Sequence, residues 1–356
     1  MSWVLVLDPP NGDAARKVGG LSVTLRLALD AQAGGASAIV AGPDLAPLLV
    51  DPRLRTPVTQ AAPTGPFRVH VPASWVLHRQ LFKLLAPTLA ADRDLTCDAF
   101  AVDVPFAFEP IDVTDAASAR RAERALFRAL RKPQDGWTSR WLNRYVSLAI
   151  SRFLVKTPLR PNQVSVAILA VGLLGAWLAS RGGWASMALG AFLFQMQSIL
   201  DGCDGEMSRI TYRGSLTGEW LDTVGDDLTN YSFFGATGFG LYAATGQKLY
   251  LIAGIVTVAC GVITSGIEYR YLIQIGSGDL LKYPLSAPGS ESKGGLFDAI
   301  QPLFKRDTFV FLTLLAALAG LLGPMLVIFA LGGVGILLSV LGAELRMARE
   351  RRSARG

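Results

Sequence analysis

Four aspartates set inside membrane-length apolar segments constrain this chain more than any other feature. Asp201 and Asp204 lie in one such segment, and Asp222 and Asp226 in the next. A carboxylate in hydrocarbon is costly, so it faces a cavity or a partner rather than lipid. Four such acids need strong positive charge, and a pair of divalent cations is the natural source. The spacing i, i+3 puts Asp201 and Asp204 on one helix face. The spacing i, i+4 does the same for Asp222 and Asp226, with Gly218 one turn earlier. A polar turn over 211–215 makes the two helices antiparallel neighbours. At a rise of about 1.5 Å per residue, both pairs sit roughly 8 to 18 Å below that turn, so one shared cavity is expected. The small residues Gly205, Ser208 and Gly218 line the same region and permit close approach.

The apolar residues are unevenly placed. The first 130 or so residues read as soluble, and the rest carries long apolar runs at 163–180, 184–207, 215–244, 249–273, 308–322 and 325–345. Each is near bilayer-crossing length, 308–322 being the shortest. The expected fold is therefore an α-helical polytopic membrane protein with six transmembrane helices, an amphipathic interfacial helix and a small N-terminal α/β three-layer domain. Residues 1–8 lack the basic region and apolar run of a cleavable signal peptide. One set of loops carries Arg209, Arg213, Arg270, Lys282, Lys305, Arg306 and the basic run beyond 345, while the other carries only Arg181 and Lys248. This bias puts both termini and the acid cluster toward the cytosol, in a bacterial inner (plasma) membrane. The net charge of +6 is then topological anchoring. Nucleic acid is not an expected partner, because the basic residues flank apolar segments rather than an aromatic-rich soluble face.

The series Asp201, Asp204, Gly205, Ser208, Arg209, Gly218, Asp222, Asp226 resembles the signature of the CDP-alcohol phosphotransferase family, D-x2-D-G-x2-A-R-x8-G-x3-D-x3-D. Every spacing is kept, and Ser208 stands where the family usually has alanine. The resemblance covers roughly residues 136–350. It implies that Asp201, Asp204, Asp222 and Asp226 hold two divalent cations, with Asp226 also the base that deprotonates the acceptor hydroxyl. It further implies that Gly205, Ser208, Arg209 and Gly218 form the nucleotide-binding surface. The reaction implied is transfer of a phosphoalcohol or phosphatidyl group from a CDP-alcohol, either CDP-diacylglycerol or a CDP-polyol, to an acceptor alcohol with release of CMP. Hard oxygen ligands suit Mg2+ or Mn2+. The resemblance also suggests a homodimer. Arg270, Lys282, Lys305 and Arg306 are candidate acceptor-binding residues, although topological anchoring explains them equally well.

The domain organisation expected is 1–112 soluble, 113–136 a helical linker and 137–350 the membrane domain, in contact with membrane lipids. A basic, alanine-rich helix is expected over 116–132. Over 137–155, Trp137, Trp141, Tyr145 and Leu148 form one face and Arg140, Arg144 and Ser151 another, which reads as an interfacial helix. Strands are expected at 3–7, 38–41, 68–71 and 100–104, with helices at 21–32 and near 75–85. This order resembles sugar-phosphate nucleotidyltransferase domains, which some CDP-alcohol phosphotransferases carry fused at the N-terminus. The fusion points toward inositol-phosphate or related polyol-phosphate products. The loop Asp8 to Lys17 departs from that pattern: one glycine remains before Arg16, and Pro9 and Pro10 remove two amide donors. A degenerate, non-catalytic N-terminal domain is expected.

Two other readings stand beside this one. A bifunctional enzyme would retain an active N-terminal cytidylyltransferase. A divalent-cation transporter would use the acids as a relay, but would spread them along a path open to both faces. The cysteines Cys97, Cys203 and Cys260 have no paired spacing, so neither a zinc site nor a disulfide framework is expected. Both histidines, His70 and His78, precede the apolar part, which leaves proton transfer there to carboxylates.

Overall fold

The computed structural model describes residues 3–63, 67–85, 108–131, 138–284 and 306–353. The chain forms two compact units. One comprises Met1–Lys132 with Arg152–Pro158 and Glu206–Arg213, and the other Pro133–Ser151, Leu159–Gly205 and Gly214–Gly356.

The first unit is built on a small parallel sheet. Strand β1 (Trp3–Asp8) is apolar along nearly its whole length, as a central parallel strand must be. A hairpin of β2 (Lys17–Val18) and β3 (Leu21–Ser22) leads into α1 (Val23–Ala33). The Ser22 side chain caps α1 by accepting from the Leu25 amide. Strands β4 (Ala38–Val40), β5 (Val58–Thr59) and β6 (Phe67–Pro72) follow, and the all-parallel order is β5-β4-β1-β6. Leu5, Leu27, Ile39, Val69 and Phe82 form its core. Strand β7 (Trp75–Val76), helix α2 (Leu81–Leu85), strand β8 (Ile111–Asp112) and helix α3 (Ala116–Arg128) complete the unit.

Two local expectations change. The helix expected near 75–85 begins only at Leu81, because Trp75 and Val76 pair antiparallel with Asp112 and Ile111. The helix expected from 21 begins at Val23, because Leu21 and Ser22 pair with Val18 and Lys17. The strand expected at 100–104 lies outside the described residues.

A charged cluster is buried in this unit. Arg26 on α1 is 2% exposed and donates to the carbonyls of Val18 (2.8 Å) and Gly19 (3.3 Å). The Tyr212 hydroxyl donates to Asp30 Oδ1, and the Arg26 and Arg79 guanidiniums lie 5.6 and 5.9 Å from the Tyr212 ring centre. Tyr212 holds a left-handed φ of 54°. A side chain of this size keeps that conformation only where its surroundings fix it, and these bonds do so.

The second unit is helical. A wide turn over Ser139–Asn143 precedes α4 (Arg144–Leu154). Then come α5 (Pro161–Ala179), α6 (Trp184–Thr211), α7 (Leu216–Thr245), α8 (Lys248–Ile275), α9 (Arg306–Leu318) and α10 (Leu322–Ser353). Proline at the first position starts α5, Ser215 caps α7, and Gly246 ends α7 in a left-handed conformation. Phe194, Phe233, Phe234, Phe309 and Phe329 tie α6, α7, α9 and α10 together, with Phe194 and Phe233 stacked at 4.3 Å. Helices α7 and α8 touch backbone to backbone: a Cβ on Gly238 would stand 2.9 Å from the Gly254 Cα.

Among the described residues, three helical stretches are long and apolar enough to cross a membrane: Pro161–Ala179, Lys248–Ile275 and Leu322–Arg346. Helices α6 and α7 have the length, at 28 and 30 residues, but carry the acids, and α9 has only 13 residues. Around α4 the polarity is inverted. Trp141, Tyr145, Val146 and Phe153 are exposed, while Ser147, Leu148 and Ser151 are buried. Leu148 therefore leaves the outward face expected for it. It shares the inward face with Ser147 and Ser151, whose partner is Cys203: the Cys203 thiol donates to Ser147 O, and the Ser151 hydroxyl to Cys203 O. Trp137 lies outside the described residues.

Burial raises the Asp30 carboxyl from an ordinary 3.8 to about 6, against the opposing pull of Tyr212, Arg26 and Arg79. A pKa raised on folding stabilises the folded state below the unfolded value, and that contribution is lost as pH rises through the folded one. At about 1.4 kcal/mol per unit, the loss between pH 4 and pH 7 is on the order of 3 kcal/mol. Opening free energies from amide exchange in α1 are expected to fall over that range in the wild type and to stay nearly level in Asp30→Asn.

Candidate functional site

Helix α6 presents Gln197, Asp201 and Asp204 within two turns, and α7 presents Asp222 and Asp226 one turn apart. The structure joins the two helices through a residue of a third. Arg306, at the start of α9, donates from Nη1 to Asp226 Oδ2 (2.7 Å) and to Asp201 Oδ2 (3.2 Å). Its Nη2 donates to Gln197 Oε1 (2.7 Å), and Gln197 Nε2 reaches Asp226 Oδ1 at 3.4 Å. The Arg306 and Asp226 side chains are each 22% exposed, and Asp201 is 25% exposed. Asp222 lies close enough to act electrostatically on both Asp226 and Arg306.

Asp204 is held separately. It is buried, and the Ser165 hydroxyl of α5 hydrogen bonds to its Oδ2. Gly205 follows it on α6, and Ser208 and Arg209 lie in the last turns of that helix. Gly218 sits where a Cβ would come within 3.1 Å of Asn162 Oδ1, so a larger residue would press on the start of α5. Of the candidate acceptor residues, Arg270 is exposed, and exposed Lys282 donates to Ser277 Oγ at 2.8 Å. Lys305 lies outside the described residues. Arg306 is occupied by the carboxylates themselves.

The donor set is all carboxylate oxygen, the chemistry that Mg2+ and Mn2+ take. A positive group, the Arg306 guanidinium, already stands between Asp201 and Asp226. Among the described residues, no three His, Cys, Asp or Glu side chains are gathered closely enough to hold a metal ion as they stand. Acids drawn together without a cation repel, and Arg306 satisfies only two of them. The residues fit a cation in type and charge, with the carboxylates arranged around an internal substitute.

Sequence reasoning overlooked Ser165, Gln197 and Asp227. Gln197 carried a signal, being a buried amide one turn before Asp201 in an apolar helix. Ser165 carried none. Asp227, next to Asp226, points into a different set of partners: Ser265 and Tyr269 donate to its Oδ2, the latter at 2.6 Å. Tyr231 and Ser265 share a hydrogen bond of 2.6 Å, and Trp220 meets the Tyr269 ring edge-on at 5.4 Å. This network fastens α7 to α8 beside the site.

The chain matches no described family profile. It has homologues among proteins called bifunctional IPC transferase and DIPP synthase. With that of Aquifex aeolicus it is 33% identical over 169 residues, which is 46% of this chain and 38% of that protein. With that of Thermococcus kodakarensis it is 31% identical over 161 residues, 45% of this chain and 35% of the relative. With that of Archaeoglobus fulgidus it is 36% identical over 151 residues, 42% and 30% respectively. The matched part thus spans less than half the length of these curated relatives.

The Asp227 network gives a prediction that is independent of activity. Tyr269→Phe removes a hydrogen bond to a carboxylate and is expected to cost about 1.5 to 3 kcal/mol. Asp227→Asn weakens the same bond, so unfolding of the double variant in detergent is expected to show a loss clearly smaller than the sum of the two singles.

Proposed function

We propose that this chain is a CDP-alcohol phosphotransferase. It would move a phosphoalcohol group, of inositol-phosphate or related polyol-phosphate type, from a CDP-alcohol to an acceptor alcohol and release CMP. The observation that carries this reading is the meeting of Asp201 and Asp226, from two different helices of the eight-residue motif, on one positive group. The names of the homologues, transferase and synthase, support it.

The residues divide the work as follows. Asp201, Asp204 and Asp222 are the ligands for divalent cations, with Asp226 at the edge of that set. When bound, the cations neutralise the donor pyrophosphate and the departing CMP. Asp226 accepts the proton of the acceptor hydroxyl. The hydroxyl oxygen forms a bond to the phosphorus that bears the donor alcohol. The bridging P–O bond breaks, and its electron pair leaves on CMP. Ser165 fixes the orientation of Asp204, and Gln197 orients Asp226. Gly205, Ser208, Arg209 and Gly218 are proposed to face the nucleotide.

The membrane reading extends the three apolar helices to six spans by adding α6, α7 and α9, with the site opening to the cytosol and a homodimer as the assembly. Exposed Trp141, Tyr145, Val146 and Phe153 support an interfacial α4. The N-terminal unit is proposed to be non-catalytic. The Gly12 amide donates to Ser74 Oγ (3.2 Å), the Asp13 amide donates to Val113 O (2.8 Å), and Arg16 pairs with Asp13 at 3.0 Å. The loop after β1 thus spends these amides on Ser74 and Val113, and Arg16 on Asp13. The transporter reading is opposed by Arg306, a positive charge among the acids.

Purified protein in detergent with Mg2+ is expected to release CMP from a CDP-polyol in the presence of a polyol-phosphate acceptor. Asp226→Asn is expected to keep donor binding and lose at least about 100-fold in turnover, the usual scale for a removed general base. No CMP from any CDP-alcohol tried, or full turnover in the variant, would contradict the assignment.

A further inference from the structure

Arg306 has no role in the proposed transfer reaction. Its guanidinium bonds Asp201, Asp226 and Gln197 at once, from a third helix. Its Nε is buried without a hydrogen-bond partner. A side chain placed only to anchor a loop at the membrane surface would not be drawn onto two carboxylates and leave a donor unsatisfied. The neighbouring Asp307 is engaged elsewhere, accepting from the Ser139 amide at 2.7 Å, so it does not neutralise Arg306.

We propose that Arg306 is an internal counter-ion that competes with the divalent cations for Asp201 and Asp226. The inference rests on the metal-dependent reading above and adds a regulatory role to one residue of that site. Without cations, the acids need a positive charge to stay together in low dielectric. With Arg306 in place, two of them are satisfied and the helices α6, α7 and α9 are held in register. An arriving cation must displace the guanidinium from Asp201 and Asp226. Arg306 therefore sets how much Mg2+ is needed to load the site, and keeps the empty site assembled. The displaced guanidinium, still tethered at the start of α9, becomes available to a phosphate group.

The test is cation binding in the absence of substrate. Free Mn2+ is followed by electron paramagnetic resonance during titration of the full chain in detergent, for wild type, Arg306→Gln and Arg306→Lys. Arg306→Gln is expected to bind Mn2+ about tenfold tighter or more, since removing one adjacent positive charge at moderate dielectric is worth at least that factor. Arg306→Lys keeps the charge and is expected to stay within a few-fold of wild type. Thermal unfolding gives a second readout that survives poor folding of the glutamine variant. Its melting temperature without cation is expected to lie below wild type, and to rise more than wild type when Mn2+ is added. Saturable Mn2+ binding with equal or weaker affinity in Arg306→Gln, or an equal thermal gain, would overturn the counter-ion role alone. Absence of Mn2+ binding in all three proteins would instead overturn the metal-dependent reading on which it rests.

Discussion

The cost of holding like charges together in a low-dielectric helix bundle governs this structure. Two carboxylates about 4 Å apart repel by roughly 4 kcal/mol at an effective dielectric constant near 20. Asp201 and Asp226 escape that cost because Arg306 stands between them. The same guanidinium binds Gln197, so a single side chain from α9 fixes the relation of α6 and α7 at the site. Asp204 takes a different route: it is buried and bound by a neutral donor, Ser165. Asp227, one residue past Asp226, is satisfied by Ser265 and Tyr269. Asp204 and Asp227 are thus met by hydroxyl donors, while Asp201 and Asp226 share the Arg306 guanidinium.

The first unit meets a related difficulty with other means. Arg26, almost wholly buried, spends its guanidinium on the carbonyls of a tight hairpin. Asp30 accepts from Tyr212 rather than from a guanidinium, and burial holds its pKa near 6. A side chain with a left-handed backbone completes the cluster. Meanwhile the loop after β1, where a nucleotide-binding domain would present free amides, has closed on Ser74 and Val113. Burial in this unit sets Arg26, Asp30 and Tyr212 against one another.

The parts of this molecule that are local in the chain could be read from it, and the parts that depend on distant partners could not. The apolar run at β1 acts on its immediate neighbours and points to the strand found. Residues 75–85 misled because Trp75 and Val76 find their partners at Ile111 and Asp112, a pairing no local pattern announces. Leu148 misled because Cys203, far along the chain, draws the Ser147 and Ser151 side of α4 inward. At the site, the spacing of the aspartates leads to α6 and α7. Ser165 and Arg306 come from α5 and α9, and nothing in their surroundings marks them as companions of the acids. The sequence pattern suggested loop anchoring or an anionic substrate for Arg306, while its position answers to charge balance among the carboxylates.

Fixed spacing puts acids on two helices of one bundle, and in the proposed reaction a cation held beside a proton-accepting carboxylate would assist phosphoryl-group transfer. The central claim is that the motif carboxylates form one cation site. An anomalous-difference map from crystals of the full chain grown with Mn2+ tests it most directly. The expected result is density bounded by Asp201, Asp204, Asp222 and Asp226, with Arg306 withdrawn from Asp201 and Asp226. A map with no peak among those four side chains, or with Mn2+ held only elsewhere on the protein, would contradict it.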